Sequence, residues 1–462
     1  MAAPARLLVI GGDAAGMSAA SQARRRRGPD ELEIIAVERG HHASYSACGI
    51  PYFVGGVVGD LDQLIARTPA EFADRGIDLR LRTEAVEIDL DGGRVRLRDA
   101  DGGGESWEPY DDLVIATGAV PTRPPLPGVH ARGVHGVQIL DDGVAIVRTL
   151  EDRGARRAVV VGGGYIGLEM AEAMVTRGLE VSVVDAAEQP MGTLDPDMGA
   201  TMADAMRGLG VQLYLGEPVE GFDTGPDGHV TAVRTESRTL PADLVVLGLG
   251  VKPDARLARA AGVETGPTGG IVTDRRMRTR AARVWAAGDC VESRHLVSGG
   301  PAAIPLGTHA NKQGRVAGIN LGGGYATFPG VLGTAVSKIC DWEVARTGLN
   351  EREAAAAGFA VVTATVASTT RAGYHPGATE MKTKLIAERR SGRLLGAQIV
   401  GRENAAKRID ALAIALWNRM TVEEMTGLDL GYAPPFAPVW DPVLVAARKA
   451  ADAVEADMRG GS

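Results

Sequence analysis

The sequence predicts an α/β chain with two parallel-sheet units of the same plan, and three observations predict it. A short apolar run, a glycine-rich turn, a helical stretch and a second apolar run ending in an acid occur in that order twice, over residues 6–38 and 157–185. Each set is followed by a hairpin-like pattern, then by an apolar phrase ending in small residues, at 110–118 and 243–250. The chain is also 462 residues long, more than one core organises, and the prior for that length is about three domains.

Composition narrows the function classes. Hydrophobic residues make up 45% and charged residues 23%, which is ordinary for a globular protein. A net charge of −8 and a pI near 5.6 argue against nucleic acid as a partner. Three cysteines, Cys48, Cys290 and Cys340, are too few for a disulfide scaffold, and no pair has metal-ligand spacing. A reducing, cytoplasmic setting is therefore expected, with no metal. Residues 1–10 are apolar but run straight into Gly11-Gly12-Asp13, which reads as a first strand rather than a signal peptide. No stretch of about 18 uncharged apolar residues occurs, so no membrane span is expected.

Residues 6–10 suit a strand buried on both faces. Gly11-Gly12-Asp13-Ala14-Ala15-Gly16 follows, then a helical stretch to about Arg27. Of the Gly-x-Gly-x-x-Gly pattern the outer glycines are present and Asp13 holds the middle place. Such a turn serves close helix–strand packing and aims helix-start N–H groups at a pyrophosphate. Residues 32–37 read as the second strand, and Glu38 closes it where a ribose hydroxyl pair is held. Residues 24–27 are four arginines, read as a solvated helix face. Gln22 and Arg25, three apart, share one side and could meet an anionic substrate.

Residues 80–97 read as two strands around Asp91-Gly92-Gly93, and residues 211–233 repeat that pattern around Pro226-Asp227-Gly228. The proline-rich stretch 121–127 marks a boundary. In the second unit Gly162-Gly163-Gly164-Tyr165-Ile166-Gly167 carries all three glycines, and the strand at 181–184 ends in Asp185. Ala186 and Ala187 follow, with no arginine to pair a 2′-phosphate, so NADH is preferred over NADPH. Residues 284–289 return to strand character and end in Gly288-Asp289. Two dinucleotide units in one chain point to electrons passing between a bound flavin and a mobile nicotinamide. Ser44-Tyr45-Ser46-Ala47-Cys48-Gly49-Ile50-Pro51-Tyr52 lies between the two signatures. Cys48 is either a small buried hydrophobe, as most free cysteines are, or a redox thiol at the flavin.

With these motifs in place the chain resembles the flavin-dependent pyridine nucleotide–disulfide oxidoreductases over essentially its whole length. The resemblance implies two Rossmann-like dinucleotide-binding domains and an α+β C-terminal dimerisation domain. FAD would take residues 1–118 and 279–329, NAD(P)H residues 119–278, and dimerisation residues 330–462. It implies flavin contacts at Gly11, Ala14, Ala15, Gly16, Glu38, Arg39, Val86, Thr117, Gly118 and Asp289, the last on the ribityl chain. Nicotinamide dinucleotide contacts would come from Gly162, Gly164, Tyr165, Ile166, Gly167, Glu169, Asp185 and Gly250, with Tyr165 as a gate.

Neither Ala43 nor Phe53 is a second cysteine, and no C-terminal His-x-x-x-x-Glu pair occurs. Ser44-x-x-x-Cys48-Gly49-x-Pro51-Tyr52 is similar to the motif of the single-cysteine branch: coenzyme A disulfide reductases, persulfide reductases, and NADH oxidases and peroxidases. The oxidases and peroxidases carry histidine where this chain has Ala14, so thiol–disulfide work is favoured. Segments 371–377 and 431–436 resemble that branch's tyrosine motifs, which implies Tyr374 and Tyr432 acting at the cysteine of a partner subunit in a homodimer. Two interface aromatics that merely pack are the alternative. Gln22, Arg25 and Ser44 match substrate-contacting positions, whereas Ala47, Glu71 and Trp440 depart from the members that hold coenzyme A. The expected reaction carries electrons from NAD(P)H through FAD and Cys48 to a small-thiol disulfide or a persulfide. Oxygen reduction and a flavin-bearing redox sensor are the alternatives.

Overall fold

The computed structural model describes residues 3–460; Met1 and Ala2, at the start of the expected first strand, lie outside the described residues. Ala5–Ile10 is the centre of a five-stranded parallel sheet. Leu32–Val37 and then Ile77–Arg80 lie to one side, Asp112–Ile115 and then Val284–Ala286 to the other. Leu7, Leu8, Val9 and Ile10 are all buried, so four successive apolar side chains serve both faces. A second five-stranded parallel sheet is centred on Arg157–Val161. It is flanked by Glu180–Asp185 and Leu244–Leu247, with Gln212–Leu215 and Val134–Gly136 at its edges.

Each parallel sheet carries a three-stranded antiparallel appendage. Thr83–Asp89 pairs with Arg94–Asp99 and that strand with Glu105–Pro109, while Val219–Thr224, Val230–Thr235 and Thr239–Pro241 form the other. Both expected hairpin turns are therefore present, with one correction. Residues 212–215, read as part of the second hairpin, are instead an edge strand of the parallel sheet. The helix Pro196–Gly208 brings the chain back over the sheet before Gln212, and a crossover of that length delivers a parallel strand. The chain passes between the units twice, side by side, as Ala119–Pro121 pairs antiparallel with Val251–Pro253.

The helices Ala14–Arg24 and Gly307–Leu321 pack backbone to backbone. A Cβ on Gly314 would stand 2.1 Å from the Ala15 carbonyl oxygen, and one on Gly318 would stand 2.2 Å from that of Ala19. Two glycines four residues apart thus set the depth at which the first helix sits.

The last third is a five-stranded antiparallel sheet in the order Ala335–Ile339, Trp342–Gly348, Leu394–Gly401, Glu380–Glu388, Val361–Thr369. Ile409–Trp417 and Pro442–Gly460 supply helices to its core. It is latched to the second unit by Lys384, whose buried ammonium lies 2.5 Å from Glu351, 2.7 Å from Asp197 and 3.3 Å from Asp195. The buried ammonium is thus paired, as a charge taken out of water requires, while Asp197 and Glu351 keep part of their surface in solvent. Among the described residues no helix is long and apolar enough to cross a membrane.

Candidate active site

The two glycine loops share one backbone plan. Gly11 (φ +111°) and Gly162 (φ +100°) take a conformation that L side chains avoid. A Cβ on Gly16 or Gly167 would fall 1.9 Å from the carbonyl oxygen of Gly11 or Gly162, so the helix can begin directly on the strand's end. The acid at each second strand does the same work twice. Glu38 accepts from the Gly12 N–H at 2.9 Å and the Gly40 N–H at 2.7 Å. Asp185 accepts from the Gly163 N–H at 2.6 Å and the Ala187 N–H at 2.9 Å.

Both loops border space that fits a dinucleotide. A Cβ on Gly118, in the turn after Asp112–Ile115 beside the first loop, would meet nothing within 4 Å, and one on Gly164 in the second loop only the Gly248 carbonyl at 4.0 Å. Burial raises the phenol of Tyr165, at the start of Tyr165–Thr176, and the Thr193 hydroxyl partly offsets it. Burial pushes the Asp289 carboxyl up to about 6, the state of an acid short of polar company. Hydroxyl groups of a bound ligand would supply that company. Gly288 presses the Asp289 turn against the first helix, where a Cβ would come within 2.8 Å of Ala15.

The remaining cofactor candidates frame these loops. Ala14 opens the first helix and Ile166 packs against the second unit's core. Thr117 donates to the Asp254 carbonyl at 2.6 Å, and the Gly118 carbonyl accepts from the Asp254 N–H at 2.9 Å. Arg39 reaches Asp254 at 3.8 Å. Val86 falls at the register shift between Ala85 and Glu87, a bulge that re-aims side chains. The Gly250 carbonyl accepts from the Thr122 N–H at the crossing between units.

Cys48 sits in the tight turn Ala47–Gly49, which runs straight into the helix Ile50–Val54. Its loop is pinned to the first glycine loop by two bonds. The Ser44 N–H donates to the Gly12 carbonyl at 2.9 Å, and the Tyr45 N–H to Asp13 Oδ1 at 3.2 Å. Cys48 is exposed, whereas Cys290 is buried and donates to the carbonyls of Ile115 and Ala287. Partial desolvation raises the Cys48 thiol, and the carboxylates of Glu169 and Asp289 raise it further. Glu169 comes from the second unit and Asp289 from the first, so the thiol stands where the two units meet. Glu169 is itself half-buried, its carboxyl raised by desolvation, and it is held at 2.6 Å by the Ser337 hydroxyl of the C-terminal sheet.

Tyr374 and Tyr432 are not bonded to Cys48. They stand together on the C-terminal module, 78% and 49% exposed, with the Tyr432 phenol raised by desolvation and then by its hydrogen bond to Tyr374. The Ala372 N–H donates to the Pro434 carbonyl, tying one tyrosine segment to the other. Arg408 fixes both: it donates to the carbonyls of Thr370 and Phe436 and pairs with Asp441 at 3.0 Å. Sequence reasoning missed Arg408 and Ser337, which carry no local signal. Tyr52 stood in the cysteine motif without an assigned role; desolvation raises its phenol, and the charges of Glu169, Glu172 and Cys48 add to that.

The arginine run is corrected in part. Arg24 is half-buried and donates to the carbonyls of Arg27, Leu32 and Gly76, so it closes the helix end rather than facing solvent. Gln22 accepts from Arg26, and Arg25 is the exposed cap of the helix. Of the three departures, Ala47 is exposed, Glu71 closes a capping box with Thr68, and Trp440 lies under Arg448 at 4.8 Å.

Comparison with known proteins places this geometry. Residues 5–314 match the family model described as pyridine nucleotide-disulphide oxidoreductase, and residues 334–442 match that family's dimerisation domain. An NAD(P)H sulfur oxidoreductase (CoA-dependent) of Pyrococcus abyssi is 41% identical over 96% of this chain and 97% of its own. An NAD-dependent persulfide reductase from A. fulgidus superposes with a TM-score of 0.93 at 40% identity, over 99% of this chain and 84% of that one. A water-forming NADH oxidase from Lactobacillus brevis bound to NADH also gives 0.93, at 27% identity, over 98% of this chain and 100% of that one. Its engineered variant, with the aspartate and following alanine replaced by alanine and arginine among other changes, is bound to NADPH. On the span of the match and the identity with its relatives, this chain belongs to the pyridine nucleotide-disulphide oxidoreductase family.

Proposed function

We propose that the chain is an FAD- and NAD(P)H-dependent reductase of small-thiol disulfides or persulfides, acting through Cys48. The observation that carries this is an exposed thiol on a loop bonded to the first glycine loop and facing Glu169 of the second unit. Bound FAD supplies the two-electron relay between nicotinamide and thiol. As thiolate, Cys48 attacks one sulfur of RS–SR, forming Cys48–S–S–R and releasing RS⁻, which takes a proton to leave as RSH. Two electrons and a proton then cleave the mixed disulfide, freeing a second RSH and the Cys48 thiolate. The sum is NADH, a proton and RS–SR giving NAD⁺ and two RSH. With a persulfide, attack on the outer sulfur moves that atom to Cys48, and reduction releases it as sulfide.

The exposed pair Tyr374 and Tyr432, with Phe436 and Trp440 also exposed nearby in sequence, fits a homodimer interface. Across it, Tyr374 or Tyr432 of the partner subunit would protonate the leaving thiolate. The dimerisation-domain match supports that assembly. Asp185 followed by Ala186 supports NADH as the preferred donor, in line with the aspartate-to-arginine-side changes of the NADPH-bound variant. Three cysteines without disulfide spacing support a reducing, cytoplasmic setting.

Cys48→Ser tests the reading. Flavin content and NADH-driven bleaching of the flavin should persist while disulfide turnover falls about 10³-fold or more. Full disulfide activity in that variant overturns it. Oxygen uptake matching NADH consumption without any disulfide would instead place the chain with its NADH oxidase relatives.

A further inference from the structure

Of the three glycine positions of the pattern, the middle one is where the two loops part: Asp13 in the first, Gly164 in the second. Gly164 has φ −75° and ψ −175°, and Asp13 has φ −112° and ψ −156°, so both are extended and neither needs glycine for its conformation. Glycine at that position serves the approach of a ligand's pyrophosphate to the backbone. A Cβ on Gly164 would stand clear of the protein save for one carbonyl at 4.0 Å, so the space there belongs to the ligand. In the first loop that position carries a carboxyl group instead. Asp13 stands at the N-cap of the helix Ala14–Arg24 without the usual side-chain capping bond, and its Oδ1 accepts from the Tyr45 N–H at 3.2 Å.

The groups acting on Asp13 come from each neighbouring element. Glu38 stands at the end of the second strand and Asp289 at the turn after Val284–Ala286, and both charges oppose its ionisation. The Tyr45 phenol and the Cys48 thiol, on the cysteine loop, feel its charge in turn. The Tyr45 and Ala14 amides favour its ionised form, but burial outweighs them, and the carboxyl is pushed up to about 7. A flavin dinucleotide brings its pyrophosphate dianion to this loop, a charge of the same sign as all three acids.

We propose that Asp13 is a flavin-binding acid that takes up one proton as FAD binds, so that it meets the pyrophosphate as a neutral hydrogen-bond donor. No bond other than the O–H forms in this step, and the proton comes from solvent. Flavin retention is then linked to pH: with Asp13 ionised the site repels its cofactor, and with Asp13 protonated it holds it. The inference rests on FAD lying against the first loop and not on the chemistry of Cys48, so Cys48→Ser should leave it untouched.

The test is FAD released on dilution of the holoenzyme, read by the fluorescence of the free flavin. Between about pH 7 and about pH 9 the wild type should lose affinity about tenfold or more, a window that starts about a unit above Asp289. Asp13→Asn keeps an oxygen for Tyr45 and a donor for the ligand, and its release should be flat over that window. Asp13→Gly, which restores the glycine, should be flat as well and covers the case in which the asparagine variant does not fold. Equal release by the wild type at both limits overturns the proposal, and so does a slope that survives in either variant.

Discussion

Set side by side, the two nucleotide loops separate what the backbone demands from what the ligand demands. Gly11 and Gly162 share a φ near +100°, and Gly16 and Gly167 share a contact that no side chain could occupy. Asp13 and Gly164 share only an extended conformation open to any residue. Glycine is therefore dictated by the chain at the first and last positions and by the cofactor at the middle one. An exception at the middle position reports on the cofactor, whereas an exception at the first would report a broken loop.

The strongest way to break the comparison is at the first glycine. Gly11→Ala would place a Cβ 2.1 Å from the Ala116 carbonyl oxygen at a φ of +111°, and Gly162→Ala one 2.6 Å from that of Gly248 at +100°. Each costs several kcal/mol locally, on the order of 3 or more. Gly11→Ala should yield protein without bound flavin. Gly162→Ala should keep the flavin yet lose its reduction by NADH, while remaining reducible by dithionite. If both variants lost flavin equally, the two loops would not serve separate cofactors.

The next effect is at the strand-end acids. Asp185→Ala with Ala186→Arg should move the NADPH-to-NADH ratio of kcat/KM by about a hundredfold, since an arginine meets the 2′-phosphate and the repelling carboxylate is gone. Absolute rates should fall too, because Asp185 also holds the Gly163 and Ala187 amides. Glu38→Ala in the first loop should weaken flavin retention and leave that ratio unchanged. A ratio that moves with Glu38 would sink the division of labour.

Most of this was legible in the sequence because the parallel strands are continuous apolar runs punctuated by glycine and closed by an acid. What escaped was decided by distant chain. Gln212–Leu215 alternates as a hairpin strand would, and only the preceding crossover makes it parallel. Arg24 looked like one of four solvated arginines, but the carbonyls of Leu32 and Gly76, brought up by the sheet, bury it. Arg408 meets Thr370 and Phe436 only once the C-terminal sheet has formed. Glu71 read only as a departure from the members that hold coenzyme A, and it is the second half of a helix cap. The cysteine motif marked Cys48 as a special thiol, yet gave no sign that its neighbours would be acids.

Those acids supply the smallest and sharpest prediction. Glu169 reaches Cys48 from the second unit and Asp289 from the first, and both raise the thiol. Raising a thiol's pKa lowers its thiolate fraction at neutral pH, so the chain by itself restrains the nucleophile that the proposed turnover needs. Removing one charge without changing shape should reverse part of that. Glu169→Gln keeps an oxygen for the Ser337 hydroxyl, and alkylation of Cys48 near neutral pH should speed up by about two- to fivefold. The gain should shrink as pH rises through the thiol range, where wild type and variant both become thiolate. Cys290 is buried, and mass analysis of the alkylated peptides separates Cys48 from the half-buried Cys340. An unchanged or slower rate would mean that Glu169 acts on Cys48 only through structure, and the meeting of the two units at the thiol would lose its electrostatic content.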